Sequence, residues 1–393
     1  MCLCGGIEEV KELRWAKQLP FNPVSPKQVL SYLQFKGYKI PKDRVTKKQT
    51  TNDEALKQIL RNNIDPLLEQ VLEARALGKA LGYLGDNAMG RDGKFHPIYT
   101  FRPETGRLSS VRPNMQNQPN GGVDQELARA IRACIIPSRS GRVLVECDWR
   151  AMEAVLTGWF AGDQEYIAAS KKDSHSWFGG YLLHADGLID KVPSPLNEDF
   201  MEFANWFKKE HKPLRAMAKK INLATGYGMK KGLLASTLHC TAAEAQKYLD
   251  IKDLMAPKLR AWKENTWREA HSKGYLETPF GYVNYFWDVL RVRDGKATLG
   301  KEANAALAFR PQSSGAAMLR EVMLALDHLD GRLFDFLVPI HDAILVECAA
   351  EDAAEVAARI CEEMGKPWPE LGGLVIEADY KVGINWASME SEE

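Results

Sequence analysis

No run in this sequence is long and apolar enough to cross a bilayer, and the opening Met1-Cys-Leu-Cys-Gly-Gly6 passes at once into charged residues, so neither membrane insertion nor secretion is expected. Cysteine is sparse. The seven residues, at positions 2, 4, 134, 147, 240, 348 and 361, include one close pair and no second pair at zinc-site spacing, which argues for a reduced intracellular protein without a structural zinc. Net charge is also lacking: 52 Lys and Arg balance 52 Asp and Glu, so any basic surface must be local. No internal repeat is visible. What is present is a chain of 393 residues, 45% of them hydrophobic, enough for two or three subdomains of roughly 100–200 residues each.

Helical periodicity is expected over 7–19, 25–35 and 52–84, the last interrupted near Pro66, with a turn-rich hinge over 86–93. Lys36, Lys39, Lys42, Arg44, Lys47 and Lys48 form a basic run with few acids, which reads either as a solvated face or as a contact to a phosphate backbone. Residues 96–119 are polar and punctuated by Gly, Pro and Asn, which suits an irregular segment tied down by side-chain hydrogen bonds. A helix over 123–133 follows. From Asp163 the chain reads as helical for most of a hundred residues, broken by a Pro-containing loop over 192–196. Pro213 suits the start of a helix on which Arg215, Lys219, Leu223 and Tyr227 recur every four residues along one face. Such a stripe is either a surface helix with a basic edge or a site for a triphosphate beside a base or sugar. A helix over 352–364 and a last strand over 373–378 complete the pattern.

Two apolar runs end in acids. Arg142-Val-Leu-Val-Glu-Cys-Asp148 reads as a buried strand delivering Asp148 to a strand-to-helix corner, where an acid alone would serve as a helix N-cap. Leu337-Val-Pro-Ile-His-Asp-Ala-Ile-Leu-Val-Glu347 reads as a hairpin with His341 and Asp342 at its tip. Strands, a helical block and strands again imply an α+β core with a helical insertion. Two strand-borne acids with a cationic helix between them suggest metal-dependent phosphoryl transfer. Hard carboxylates suit a metal pair about 4 Å apart, and cations on a fixed helix meet phosphate charge.

These residues together resemble the family A DNA polymerases. Asp148 with Glu153 five positions on is similar to the family's first palm motif; Arg215, Lys219, Asn222 and Tyr227-Gly-Met229 to its fingers-helix motif; and His341-Asp342 to its third motif. Thr105-Gly-Arg-Leu-Ser-Ser110, Pro113-Asn114, Gln116-Asn117, Asp173-Ser-His175, Thr278-Pro-Phe-Gly281 and Gln312 fall in the expected order between them, so the resemblance covers about 21–386. It implies a right-hand architecture: a reduced helical thumb (1–90), an antiparallel-sheet palm (91–162 and 291–393) and helical fingers (163–290). It also implies a template-directed DNA polymerase. Asp148 and Asp342 would hold two Mg2+ ions, for which Mn2+ can substitute, and Lys219 would assist the leaving pyrophosphate. Arg215, Lys219, Leu223, Tyr227, Glu153 and His175 would bind the deoxynucleoside triphosphate, Glu153 by closing over the sugar. Arg107, Asn114, Gln116, Gln312 and His341 would contact primer-template DNA, and Lys47 and Lys48 its backbone. The expected setting is intracellular and cytoplasmic, in a bacterial or phage-infected cell, with an organelle as the alternative.

The chain departs from the family pattern at several places. Trp149 and Arg150 replace a Tyr-Ser pair, adding a cation expected near the incoming nucleotide or the fingers. Leu223 replaces an aromatic, Ala343 an acid and Ala308 an asparagine. Only 7–19 stands for the first long thumb helix, and no acid cluster for proofreading precedes the thumb, so low processivity is expected, with the missing parts either absent or on another polypeptide. A catalytically weak or silent DNA-binding subunit of a replication complex is the alternative. A single-subunit RNA polymerase is disfavoured by Glu153.

Overall fold

Separate hydrophobic cores divide the chain into two units in the computed structural model, which describes residues 20–43, 46–82, 89–118, 125–226, 228, 231–238, 240–293 and 296–390. The helix expected over 7–19, Arg44, the start of the 86–93 hinge, Tyr227 and Met229 lie outside the described residues. One unit is drawn from Met1–His96 and Gln118–Ile131, the other from Pro97–Asn117 and Arg132–Glu393.

The first unit is helical. Ser25 caps α1 (Pro26–Phe35) by accepting from Gln28 N, with Pro26 in the first turn, and Asn52 caps α2 (Asp53–Leu60) by accepting from Ala55 N. Asp65 starts α3 (Pro66–Leu81) and accepts the hydroxyls of Tyr32 and Tyr38, each at 2.8 Å. Val29, Leu33, Leu56, Ile59, Leu68 and Val71 fill the space between these helices. Lys47 and Lys48 are exposed on a turn closed by Asp43 and Lys48. The boundary between units falls within α4 (Gln125–Ala133).

The second unit is built on a four-stranded antiparallel sheet. Short strands β1 (Ile98–Thr100) and β2 (Ser109–Val111) pair within the polar segment, and β3 (Arg142–Trp149) leads to α5 (Met152–Ala161). A helical block follows: α6 (Gln164–Lys171), α7 (Ser174–Ala185), α8 (Phe200–Glu210), α9 (Lys212–Thr225), α10 (Lys231–Leu238), α11 (Ala242–Met255) and α12 (Pro257–Lys273). Two hairpins come next, β4 (Tyr275–Glu277) with β5 (Val283–Tyr285) and β6 (Leu290–Arg293) with β7 (Lys296–Leu299). Then α13 (Ala303–Leu326), β8 (Asp335–Ile340), β9 (Ala343–Ala349), α14 (Ala353–Met364) and β10 (Ala378–Gly383) return the chain to the sheet, whose order is β10-β3-β9-β8. This is the α+β class read from the sequence.

Strand β3 is covered on both faces, which explains its nearly unbroken apolar run. Val145, Cys147 and Trp149 join Ile344, Val346 and Cys348 under α5, α13 and α14, while Leu144 meets Leu345, Val338, Met115 and Trp386 on the other side. Each fully buried aliphatic side chain contributes about 1.5–3 kcal/mol.

The last strand corrects the sequence reading. It was expected over 373–378, but pairing with β3 begins at Ala378 and runs to Gly383. Gly372 and Gly373 both have positive φ, and Trp368 and Leu374 close a turn, so the apolar run that follows enters the core without joining the sheet. The true strand alternates, with Ala378, Tyr380 and Val382 against the core. The hairpins over 275–299 follow the helical block expected after Asp163, in a stretch where the periodicity names no element.

In α7, Gly179 and Gly180 admit the aromatic face of α8. A methyl at Gly179 would lie 2.3 Å from the Phe207 ring and one at Gly180 2.7 Å from Phe203. Those rings are wedged against Phe200, Trp206 and His211. Alanine in place of a mid-helix glycine gains up to about 1 kcal/mol of helix propensity, but overpacking costs about 1–3 kcal/mol. Gly179→Ala should therefore lower the urea midpoint; an unchanged or raised midpoint would show that the rings can yield.

Candidate active site

The register of β3 with β9 places Asp148 opposite Ala343, so Asp342, the residue before it, lies beside Asp148 at one end of the strand pair. On the other side Asp148 faces Asp379 of β10. The helix-cap reading of Asp148 does not hold, because the N-cap of α5 is Ala151, in a left-handed conformation (φ 50°) and without a side-chain cap bond. Asp148 reaches solvent from a crowded hollow. Burial, then the charges of Asp342, Glu146 and Asp379, push its carboxyl up to about 7 against the pull of Lys381. Burial also raises Asp342, opposed by its own backbone N–H, Arg107 and His341. No salt bridge to either acid occurs among the described residues. Two hard carboxylates with incomplete charge compensation fit a divalent cation.

The hairpin tip is fixed from outside. Ser110 Oγ accepts from Met115 N (2.8 Å) and Gln116 N (3.2 Å), shaping the 3-10 turn Met115–Asn117. Gln116, buried, donates to Pro339 O and accepts from His341 N (2.9 Å), spanning both sides of the tip. His341 is exposed with φ 54°, a left-handed conformation that His tolerates better than branched residues do. Asn114 is half-buried just after Pro113.

Glu153, in the first turn of α5, is held between two residues read from sequence as DNA contacts. Arg107 Nη2 donates to it at 2.8 Å and Gln312 Nε2 at 3.1 Å. Sequence reasoning missed the anchor of the Arg107 loop: Arg320 donates to Gly106 O (2.5 Å) and stacks on Tyr282 at 4.8 Å. Arg150 pairs with Glu377 (2.8 Å) and with Asp379, the β10 neighbour of Asp148.

On α9, Arg215 and Lys219 lie along one face with Leu223, which is 70% exposed. Arg215 is engaged: its guanidinium donates to Asp173 at 2.9 and 3.1 Å and to Ser176 Oγ at 3.1 Å. Asp173 also caps α7 through His175 N and Ser176 N. Burial opposes its charge, but the Ser176 bonds and Arg215 lower it below the usual carboxylate range. Lys219 is exposed and has no salt-bridge partner among the described residues. His175 is half-buried and meets Asn222 Nδ2 through Nδ1 (3.3 Å). Burial first, then Arg215, Lys219 and Lys252, keep its pKa low against the pull of Asp173, so neutral imidazole is favoured. The structure thus forms two clusters in the second unit: the acid pair with Glu153, Arg107, Gln312, Gln116 and His341, and the α9 stripe with Asp173 and His175. Lys47 and Lys48 belong to the first unit.

Residues 7–388 match the family model "DNA polymerase family A". Similar proteins include the thermostable DNA polymerase I of Thermus thermophilus (28% identical, 94% of this chain and 42% of the relative) and of Thermus aquaticus (27%, 94% and 42%). DNA polymerase I of Lactococcus lactis is 28% identical over 93% of this chain and 40% of its own. The chain therefore spans less than half the length of these relatives. In fold it resembles the POL domain of Pol1 from M. smegmatis, solved in complex with DNA primer-template and dNTP, with TM-score 0.75, 23% identity, and coverage of 97% of this chain and 64% of that one. No helix among the described residues is long and apolar enough to cross a membrane.

The raised carboxyl at Asp148 has a signed consequence. The folded chain holds its proton between the ordinary value of 3.8 and about 7, so ionising it weakens folding as pH rises through that window. Asp148→Asn should melt level with wild type near pH 4 and above it by pH 8 in the absence of metal, and a divalent cation should narrow the gap by stabilising wild type alone. A difference in melting temperature that does not change with pH would contradict this origin.

Proposed function

This chain belongs to DNA polymerase family A, and on that premise we propose that it extends a primer 3′ end by template-directed addition of deoxynucleotides. The observation that carries this reading is the pairing of Asp148 and Asp342 at one end of β3 and β9, both raised by burial and unbridged by any cation among the described residues. Family members use divalent metal ions. Asp148 and Asp342 would hold two, Mg2+ with Mn2+ able to take its place, and the chemistry these supply is stabilisation of charge on the reacting oxygens.

The protein groups do the rest. Arg215 moves its guanidinium from Asp173 to the triphosphate, and Lys219, which has no carboxylate partner among the described residues, protonates or shields the departing pyrophosphate. His175, neutral, contributes a hydrogen bond without added charge. Leu223 and Tyr227 flank the nascent pair, and Glu153 closes over C2′ so that a ribose hydroxyl has no room. Arg107 and Gln312 reach the minor groove, where acceptors common to all correct pairs report geometry. Asn114 and His341 lie along the primer, and Gln116 positions the tip that carries His341 and Asp342. Lys47 and Lys48, in a thumb over 1–90, contact duplex backbone, with palm over 91–162 and 291–393 and fingers over 163–290. The substrates are primer-template DNA and deoxynucleoside triphosphates.

Primer extension with the purified chain tests this. Asp148→Ala or Asp342→Ala should reduce the rate by roughly 10³-fold or more while leaving primer-template affinity nearly intact. Wild type that binds DNA but never extends it would favour a silent DNA-binding subunit, a reading that Ala343 in place of an acid makes worth testing. Glu153→Ala should raise ribonucleotide use relative to deoxynucleotide use about 10–100-fold. An unchanged ratio would remove Glu153 from sugar selection.

A further inference from the structure

Two lysines converge on the end of α9 from α11 and α12. Lys252 of α11, only 5% exposed, donates to Thr225 Oγ1 at 2.6 Å and to Asn222 O at 3.4 Å. Lys263 of α12, half-buried, donates to Thr225 O at 3.3 Å. Thr225, itself 2% exposed, donates a hydrogen bond from its hydroxyl to Ile221 O (2.7 Å). Among the described residues no carboxylate comes within salt-bridge distance of either ammonium.

A buried cation without a counter-ion costs several kcal/mol, and a second one beside it adds repulsion, so an apolar residue would serve packing better. Burial lowers both ammoniums below lysine's ordinary range and Lys263 lowers Lys252 further, while the charge of Asp253 pulls both partly back. The rest of the cost is offset by the chemistry of their acceptors. Asn222 and Thr225 lie in the last turn of α9, whose final carbonyls have no partner inside the helix and carry the negative end of its dipole. The same Asn222 sends its amide to Ser174 O (3.1 Å) and to His175. The lysines therefore grip the turn that also reaches the His175 side of the site.

We propose that Lys252 and Lys263 are positioning residues that clamp the C-terminal turn of α9 to α11 and α12, fixing the direction in which Arg215, Lys219 and Leu223 point. At the other end Leu214, Met217 and Ala218 pack into the helical core, and the polar contacts of Arg215 with Asp173 and Ser176 are ones that a competing anion can replace. The clamp uses helix carbonyls and a buried hydroxyl, which no anion displaces. It is the fixed end of the helix. That α9 binds nucleotide rests on the polymerase reading; that the lysines clamp it does not.

Lys252→Met keeps the length and apolar stem and removes the donor, Thr225→Val removes one acceptor, and Thr225→Ser retains it. In the full chain, amide hydrogen exchange over 222–226 should accelerate about tenfold in Lys252→Met and Thr225→Val, with exchange in the β3–β9 sheet unchanged and Thr225→Ser near wild type. In single-nucleotide incorporation the same two variants should raise the KM for dNTP about 5–20-fold, with kcat within about threefold and primer-template affinity unchanged. Unaltered exchange in both variants would overturn the clamp, whether or not the chain extends primers. Accelerated exchange with an unchanged KM would overturn its positioning role. Should Lys252→Met fail to fold, Thr225→Val and Thr225→Ser decide both questions. A wild-type chain that fails to extend primers would remove the polymerase reading and leave the exchange comparison to judge the clamp.

Discussion

Like charges forced together by a strand register are the condition on which the rest of this site depends. Asp148 and Asp342 do not approach each other through flexible side chains; the pairing of Asp148 with Ala343 brings them together through the backbone. A slip of one residue would turn Asp148 toward the helix-packed core, where Val145, Cys147 and Trp149 belong. The repulsion is therefore supported by the apolar contacts on both faces of β3, and the sheet must be well packed for the acids to stay close. Arg150 and the tight hold of Gln116 on the hairpin tip serve the same end. Arg150 ties off Asp379 and Glu377, and Gln116 fixes the backbone from which Asp342 projects.

On the proposed function the helical block solves a different problem, the display of cations toward a small charged ligand. Arg215 rests on Asp173, a carboxylate that is also the N-cap of α7, so that cation already has a preorganised anion partner in the free protein. Lys219 has none among the described residues. One cation must be exchanged and the other is available at once, a division that follows from where α7 begins.

The two acids were legible in sequence because each lies at the end of an apolar run; either alone reads as a helix cap or a turn, and it is the pair, with a cationic helix between them, that points to a site. The four-residue recurrence on α9 was legible for a similar reason, since helical geometry converts spacing into a face. What escaped was long-range. Nothing near Gln116 announces that its amide will reach across 225 residues to His341, and Arg215 carries no mark of Asp173. The final strand was misplaced because Leu374 to Ile376 is more apolar than the true strand, and two glycines with positive φ decide the outcome. Lys252 and Lys263 look in sequence like ordinary charges on exposed helix faces. Only the packing of α9 against α11 and α12 makes them interior.

Glu153 is bonded at once by Arg107 and Gln312, one from the loop after β1 and one from α13. On the roles proposed above, the carboxylate that judges the sugar shares its partners with the duplex. When the minor groove takes Arg107 and Gln312, Glu153 loses two donors and its orientation is set anew; when a nucleotide draws Glu153 inward, the two donors are released toward DNA. The equilibria are linked, and linkage is reciprocal. Sugar discrimination would then be a property of the ternary complex and not of an empty pocket, and a mispaired terminus that holds the two donors poorly would blur the choice of sugar as well as the choice of base.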